Sequence, residues 1–214
     1  MRGLVHQEGK KSGGGTSVSP KDINFYDYDG TIVASWTLVE LTSATELPAS
    51  PTHDGLTAQG WNWTLADLKT ENAPMNVGQM YITSDEKTHL TITIAEFGRM
   101  VVPLYFSQTV ANGVTIDWGD GSQTQTLTGT GNRNTTHTYA TPGTYDITLD
   151  VAEGCEMKLG NGSSSYCVLG ATNNAGRVYC NMLQSVRIGS RAGISAYAFY
   201  NCYSLASITI PSSV

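Results

Sequence analysis

Along most of this chain, apolar and polar residues alternate with a period of two. Leu90, Ile92 and Ile94 are separated by threonines, and Val102, Leu104 and Phe106 form a second set. Val114, Ile116 and Trp118 form a third. Tyr145, Ile147, Leu149 and Val151 form a fourth, interleaved with Asp146, Thr148 and Asp150. This period turns one face of each strand into a core and the other into water, as in sheets packed face to face. Turn residues recur at the intervals that a sandwich needs. The pattern predicts a β-sandwich over residues 89–152.

The segment 21–88 mixes signals and predicts a small α+β domain. Residues 23–28 and 31–36 flank Asp29-Gly30, a strong hairpin turn. Thr37 to Leu41 predicts a short helix, and Pro48, Pro51 and Gly55 predict a loop. Thr64, followed by Asp67 in the first turn, reads as the N-cap of a second helix that ends by Pro74. Strands are expected at 80–83 and 89–94, joined by the polar turn 84–87. Residues 1–20, with Gly13-Gly14-Gly15, read as a flexible tail, with order starting near Lys21.

Residues 153–214 repeat. Leu183-Gln184-Ser185-Val186-Arg187-Ile188 and Leu205-Ala206-Ser207-Ile208-Thr209-Ile210 share one pattern at a shift of 22, and Cys180 and Cys202 recur at the same shift. A period of this length predicts short strands stacked in a solenoid, each unable to bury its apolar edge alone. Met157-Lys158-Leu159-Gly160 is expected to be an earlier strand matching 186–189 at a shift of 29.

Composition supports a β-rich chain. Of 214 residues only 14% are charged, while 27 are Thr, 19 Ser and 23 Gly. Such a chain lacks the Ala, Leu, Glu and Lys that long surface helices use. The net charge of −6 argues against a nucleic-acid partner, which would call for a basic face. The balance is uneven: residues 21–88 hold 3 basic and 10 acidic side chains, whereas 153–214 hold 4 and 2. No apolar run approaches a membrane span. The N-terminus lacks a secretory signal pattern, so the chain either uses another route or is a fragment of a longer protein. The four cysteines, Cys155, Cys167, Cys180 and Cys202, show neither C-x-x-C pairs nor a neighbouring His, so neither a metal site nor a cofactor is expected.

Two resemblances add to this. Trp118-Gly119-Asp120-Gly121, His137-Thr138-Tyr139 and Pro142-Gly143-Thr144-Tyr145-Asp146-Ile147-Thr148-Leu149 together resemble the PKD (polycystic kidney disease) domain, an immunoglobulin-like sandwich of surface and secreted proteins. The resemblance covers about 89–152 and makes these residues structural. From Ile194, the run Ala198-Phe199-Tyr200-Asn201-Cys202-Tyr203-Ser204-Leu205-Ala206-Ser207-Ile208-Thr209-Ile210-Pro211 looks like the BspA-like class of bacterial leucine-rich repeats. It implies a repeat array whose atypical first unit is 178–189, with further units expected beyond Val214. Residues 22–94, with Gly60-Trp61-Asn62-Trp63, faintly resemble leader domains of similar modular surface proteins.

Candidate chemistry is sparse. Asp27-Tyr28-Asp29-Gly30-Thr31 after an apolar strand resembles the first motif of haloacid-dehalogenase phosphatases. That would make Asp27 the nucleophile and Asp29 the acid/base, with Mg²⁺ between them. The competing expectation is a plain hairpin turn, favoured because the later Lys and acidic pair of such enzymes have no room before the sandwich. Trp61 and Trp63 could stack on a sugar or anchor a small core. Asp27, Asp29, Asp85 and Glu86 read as a solvated acidic face rather than a Ca²⁺ loop. Tyr197, Tyr200 and Tyr203 are candidate contact residues on the repeat surface. Cys180 and Cys202 read as reduced packing residues.

The expected whole is a non-enzymatic surface or adhesion protein, located outside the cell or on a virion. Its repeat face would meet protein or carbohydrate, with the PKD-like domain as spacer. A structural role in a phage tail or cell envelope is the alternative, and Mg²⁺-dependent phosphatase activity at Asp27 and Asp29 a minor one.

Overall fold

The computed structural model describes residues 18–96, 99–171 and 177–214. The expected tail lies outside them except for its last three residues. The fold is mainly β, as the alternation predicts.

The first unit contains β1 (Ile23–Tyr26), β2 (Ile32–Trp36), α1 (Leu38–Ser43), β3 (Leu56–Trp61), α2 (Leu65–Glu71) and β4 (Met75–Thr83). Its sheet runs β2-β1-β4-β3, with β1 and β4 parallel and the other pairs antiparallel. The β1–β2 turn falls at Asp29-Gly30. Gly30 takes φ +84°, and Thr31 N–H donates to Asp29 Oδ1. Thr37 caps α1 reciprocally with Glu40, and Thr64 caps α2, which ends at left-handed Asn72. Ile23, Phe25, Leu41, Trp61, Leu68 and Val77 form a core between sheet and helices. Two expectations change here. β3 lies between the expected loop and the expected second helix, where the sequence predicts no element, because its polar LTAQGW alternates weakly and carries a bulge between Ala58 and Gly60. β4 begins at Met75 rather than at residue 80, since Asn76, Gly78 and Gln79 interrupt its apolar pattern.

The second unit begins with β5 (Thr88–Ile94), β6 (Val101–Gln108), β7 (Val114–Asp117), β8 (Gln125–Thr126), β9 (Gly131–Thr138) and β10 (Gly143–Val151). Strands β8-β7-β10-β5 form one sheet and β6-β9 part of another, and their alternating apolar faces share a core. The sequence gives no apolar signal for β9, GNRNTTHT, an edge strand held by its backbone ladder to β6. Trp118 is buried. His137 stacks on it at 4.8 Å and bonds to Asp120 at 2.7 Å, and Tyr139 donates its hydroxyl to Trp118 O at 2.9 Å. Hydrogen bonds from Ser122, and then from His137, hold Asp120 down to about 2. Gly119 lies against the Asp146 backbone at φ +75°, where a Cβ would overlap it. Gly121 completes the turn, also at positive φ. Gly143 opens β10, and Tyr145 tilts against Tyr139 at 4.2 Å. These residues are therefore packing and turn residues.

The remaining elements are β11 (Met157–Leu159), β12 (Tyr166–Cys167), β13 (Gly170–Ala171), α3 (Arg177–Cys180), β14 (Leu183–Arg187), β15 (Ala192–Ile194) and β16 (Ser207–Thr209). They extend both sandwich sheets. β14 pairs antiparallel with β5, and β16 pairs parallel with β14. β11 pairs antiparallel with β6, and β15 pairs parallel with β11. The sheets thus read β16-β14-β5-β10-β7-β8 and β15-β11-β6-β9, and one core runs from Leu90 to Ile208. Ser185 pairs with Ser207 and Val186 with Ile208, so the 22-residue shift is the register of the pair. Met157 pairs with Ala192, which replaces the expected match of 157–160 to 186–189. The described residues hold one stacked pair on each sheet, not a solenoid shown in full.

Candidate functional site

Among the described residues, a concave groove of about 590 Å³ lies on the C-terminal segment. Three pieces of chain build it. Tyr166 comes from β12, Arg177 from the start of α3, and Tyr197, Tyr200 and Asn201 from the turns between β15 and β16. Tyr197 and Tyr200 are 51% and 52% exposed and meet edge to face at 6.1 Å. Tyr166 stacks on Tyr105 of β6 at 4.9 Å, which fixes that wall to the sandwich. Ser164, Ser165 and Asn201 add polar atoms, and Arg177 adds a cation.

The backbone beneath the tyrosines is strained. Tyr197 sits at φ +63° and Asn201 at φ +62°. Asn tolerates this region, but a Tyr there costs roughly 1–3 kcal/mol, and such strain concentrates at binding and switch sites. The consequence is geometric: the turn projects both aromatic rings away from the core that Ala198 and Cys202 occupy.

Each sequence-derived site residue has a definite place. Tyr197 and Tyr200 line the groove. Tyr203 lies beside it, 76% exposed, with its hydroxyl donating to Asn201 Oδ1 at 2.9 Å. Trp61 offers no ligand face. It is buried edge-on against Phe25, and its indole N–H donates to Pro48 O at 2.8 Å, so it anchors the small core. Trp63 packs half-buried against the same core. Tyr166 and Arg177 were not singled out by sequence. Tyr166 follows a Ser run with no periodic signal, and the excess of basic residues in 153–214 is the only hint of Arg177.

Of the four acidic residues expected on a solvated face, Asp29, Asp85 and Glu86 are exposed, and Asp27 departs from it. Asp27 is 9% exposed and accepts from three groups: Tyr28 N–H and the Tyr81 hydroxyl at Oδ1, and His53 Nε2 at Oδ2. Tyr28, His53 and Tyr81 meet edge-on around it. Burial, followed by the Asp27 hydrogen bond, pushes the Tyr81 hydroxyl far above its ordinary value. Asp27 therefore acts as a buried acceptor that ties β1, β4 and the 51–53 loop together. Asp29 shapes the hairpin turn. Asp85 faces His89, and Glu86 faces Ser190.

Beneath the groove, three buried cysteines converge. The sulfurs of Cys167, Cys180 and Cys202 lie within 4.8 Å of one another, although the sequence shows no ligand spacing. S–H donation from Cys180 and Cys202 lowers the Cys167 thiol, and the same contacts raise those of its two neighbours. Cys155 lies apart, buried against Thr109 and Gly113. No helix among the described residues is long and apolar enough to cross a membrane.

These features define a mainly β chain with an aromatic, mostly polar groove on the segment that extends its sandwich. No family model, curated protein or solved structure matches the chain.

Proposed function

We infer that this chain is a non-enzymatic binding module of a surface or adhesion protein, outside the cell or on a virion, and that its groove takes a carbohydrate. The observation that carries this reading is the pair Tyr197 and Tyr200, half exposed, edge to face, and held outward by a left-handed turn. An amphipathic ring presents a flat apolar face and a polar tip at little entropic cost. About 590 Å³ falls within the usual range of small-ligand sites. Serine, asparagine and arginine beside the rings supply the polar contacts that a sugar needs. The sandwich beneath, PKD-like by motif, is the rigid spacer, and the repeat-like segment carries the contact face. Asp27, with both oxygens engaged by protein donors, fits a structural role better than that of a phosphoryl acceptor.

The test is binding of the full chain to an immobilised panel of defined oligosaccharides, with Tyr200→Ala and Arg177→Ala as variants. Tyr200→Ala should weaken retention about tenfold or more, as for a central aromatic contact, with the melting transition unchanged. Equal retention by wild type and Tyr200→Ala would overturn the reading. So would capture of proteins but no oligosaccharide.

A further inference from the structure

The three cysteines under the groove belong to its three separate walls. Cys167 follows Tyr166 on β12, Cys180 ends the α3 turn that starts at Arg177, and Cys202 sits between Asn201 and Tyr203. Cys167 and Cys180 are fully buried and Cys202 nearly so, and all four cysteines of the chain are thiols in this structure. The three sulfurs are not equally spaced. Cys167 Sγ and Cys180 Sγ stand 2.7 Å apart, closer than non-bonded sulfurs rest and near the bonded distance of about 2.05 Å.

Two chemistries suit clustered thiols. A shared zinc ion with bonds of about 2.3 Å would hold its thiolates roughly 3.8 Å apart in tetrahedral geometry and would want a fourth ligand. The 2.7 Å pair is too close for that, and no His, Asp, Glu or further Cys joins the cluster among the described residues. A covalent bond needs far less movement. We propose that Cys167 and Cys180 form a disulfide that ties the β12–β13 hairpin to α3, with Cys202 kept as a thiol beside it.

The reaction takes place in the folding chain, before Cys167 is sealed from solvent, with an organic disulfide such as oxidised glutathione as oxidant. Cys167 thiolate attacks one glutathione sulfur and expels a glutathione thiolate, giving a mixed disulfide. Cys180 sulfur then attacks Cys167 Sγ and expels the second glutathione. The protein loses two protons and two electrons, and the oxidant leaves as two molecules of reduced glutathione. The bond closes a short loop and fixes the Tyr166 wall against the Arg177 wall. That bearing on ligand binding rests on the carbohydrate reading above, whereas the crosslink itself does not.

The test uses the full chain, refolded from denaturant in mixed oxidised and reduced glutathione, alkylated, and digested with trypsin. Each cysteine falls on its own peptide: Cys155 in 134–158, Cys167 in 159–177, Cys180 in 178–187 and Cys202 in 192–214. The expected product links 159–177 to 178–187 with two hydrogens lost, while Cys155 and Cys202 are alkylated. Reduction should lower the melting temperature by roughly 5–10 °C. Alkylation of all four cysteines would overturn the proposal, as would a link through 192–214. One equivalent of zinc retained after refolding in zinc chloride, with no link formed in glutathione, would overturn it in favour of a metal site. Because none of these readouts involves a carbohydrate, failure of the disulfide and failure of the groove are separate results.

Discussion

The two cores of this molecule are built on different terms. The apolar cluster of the first unit gathers six buried side chains, and that of the second twenty-seven, among the described residues. The first is held by local devices: a two-residue turn, two capped helices, and one parallel strand brought back by a helix. The second is held by pairings between distant segments, since β14 adds to β5 and β11 to β6, so the repeat-like tail and the sandwich share one interior. The comparison teaches that the resemblance boundary near residue 152 is not a boundary in the core. The boundary that the packing does show lies near Thr88. There, Gly189 N–H donates to Thr88 Oγ1 and Ser190 N–H to Glu86 O.

The largest expected effect comes from Trp118→Ala. It removes a buried ring that stacks on His137 and edges Tyr139, at a cost of roughly 3–5 kcal/mol. Hydrogen exchange should then show loss of protection in β5–β10 together with β14, while β1 and β4 keep theirs. If β14 stayed protected, the shared core would be disproved. If β1 lost protection in step, the two cores would be one cooperative unit.

Gly189→Ala tests the seam. An added Cβ would overlap the Glu86 carbonyl, backbone against backbone, and overpacking of this kind costs roughly 1–3 kcal/mol. Chemical denaturation should show both units weakened. An unchanged curve would place Gly189 away from the 86–88 turn.

Thr37→Ala removes one half of the α1 capping box and should cost about 1 kcal/mol. Only the first unit should feel it, so the exchange rates of α1 amides should rise while those of β10 stay fixed.

The smallest expected effect is a pH dependence at the seam. His89 Nδ1 bonds Asp146 at 2.7 Å, Nε2 faces Asp85 at 3.1 Å, and Arg187 reaches Asp146 at 3.1 Å. The Asp146 hydrogen bond raises His89 against the opposing effect of burial. Burial pushes Asp146 up, but the His89 hydrogen bond and the charges of His89 and Arg187 bring it below its ordinary value. The raised imidazole stabilises the fold fully below its unfolded value of about 6.5. That contribution is lost as pH rises through the higher folded value. Asp146 contributes above its unfolded value and ceases to as pH falls through the folded one. Melting temperature followed from pH 6 to pH 9 should therefore decline more in wild type than in His89→Gln. Parallel curves would show that the network carries no linked proton.

Some features of this protein follow from sequence alone, because their signals are local. The alternation of β5, β6, β7 and β10, the turn at Asp29-Gly30, and the caps at Thr37 and Thr64 each depend on residues within a few positions of one another. The 22-residue shift belongs with them, since a repeat is legible without knowing what it stacks on. The rest was decided by tertiary structure. β3 and β9 exist because a neighbouring edge supplies their backbone partners, and backbone hydrogen bonding leaves no mark in side-chain pattern. Trp61 is an anchor rather than a platform because Phe25 and Pro48, far off in sequence, enclose it. Asp27 is buried because His53 and Tyr81 reach it from other elements. Cys167 joins Cys180 and Cys202, and Tyr166 and Arg177 complete the groove, because β12 and α3 are brought together beside the repeat. Sequence fixes what each strand presents on its two faces, but which edge it meets depends on the free energy of non-local contacts, and here that put the tail onto the sandwich.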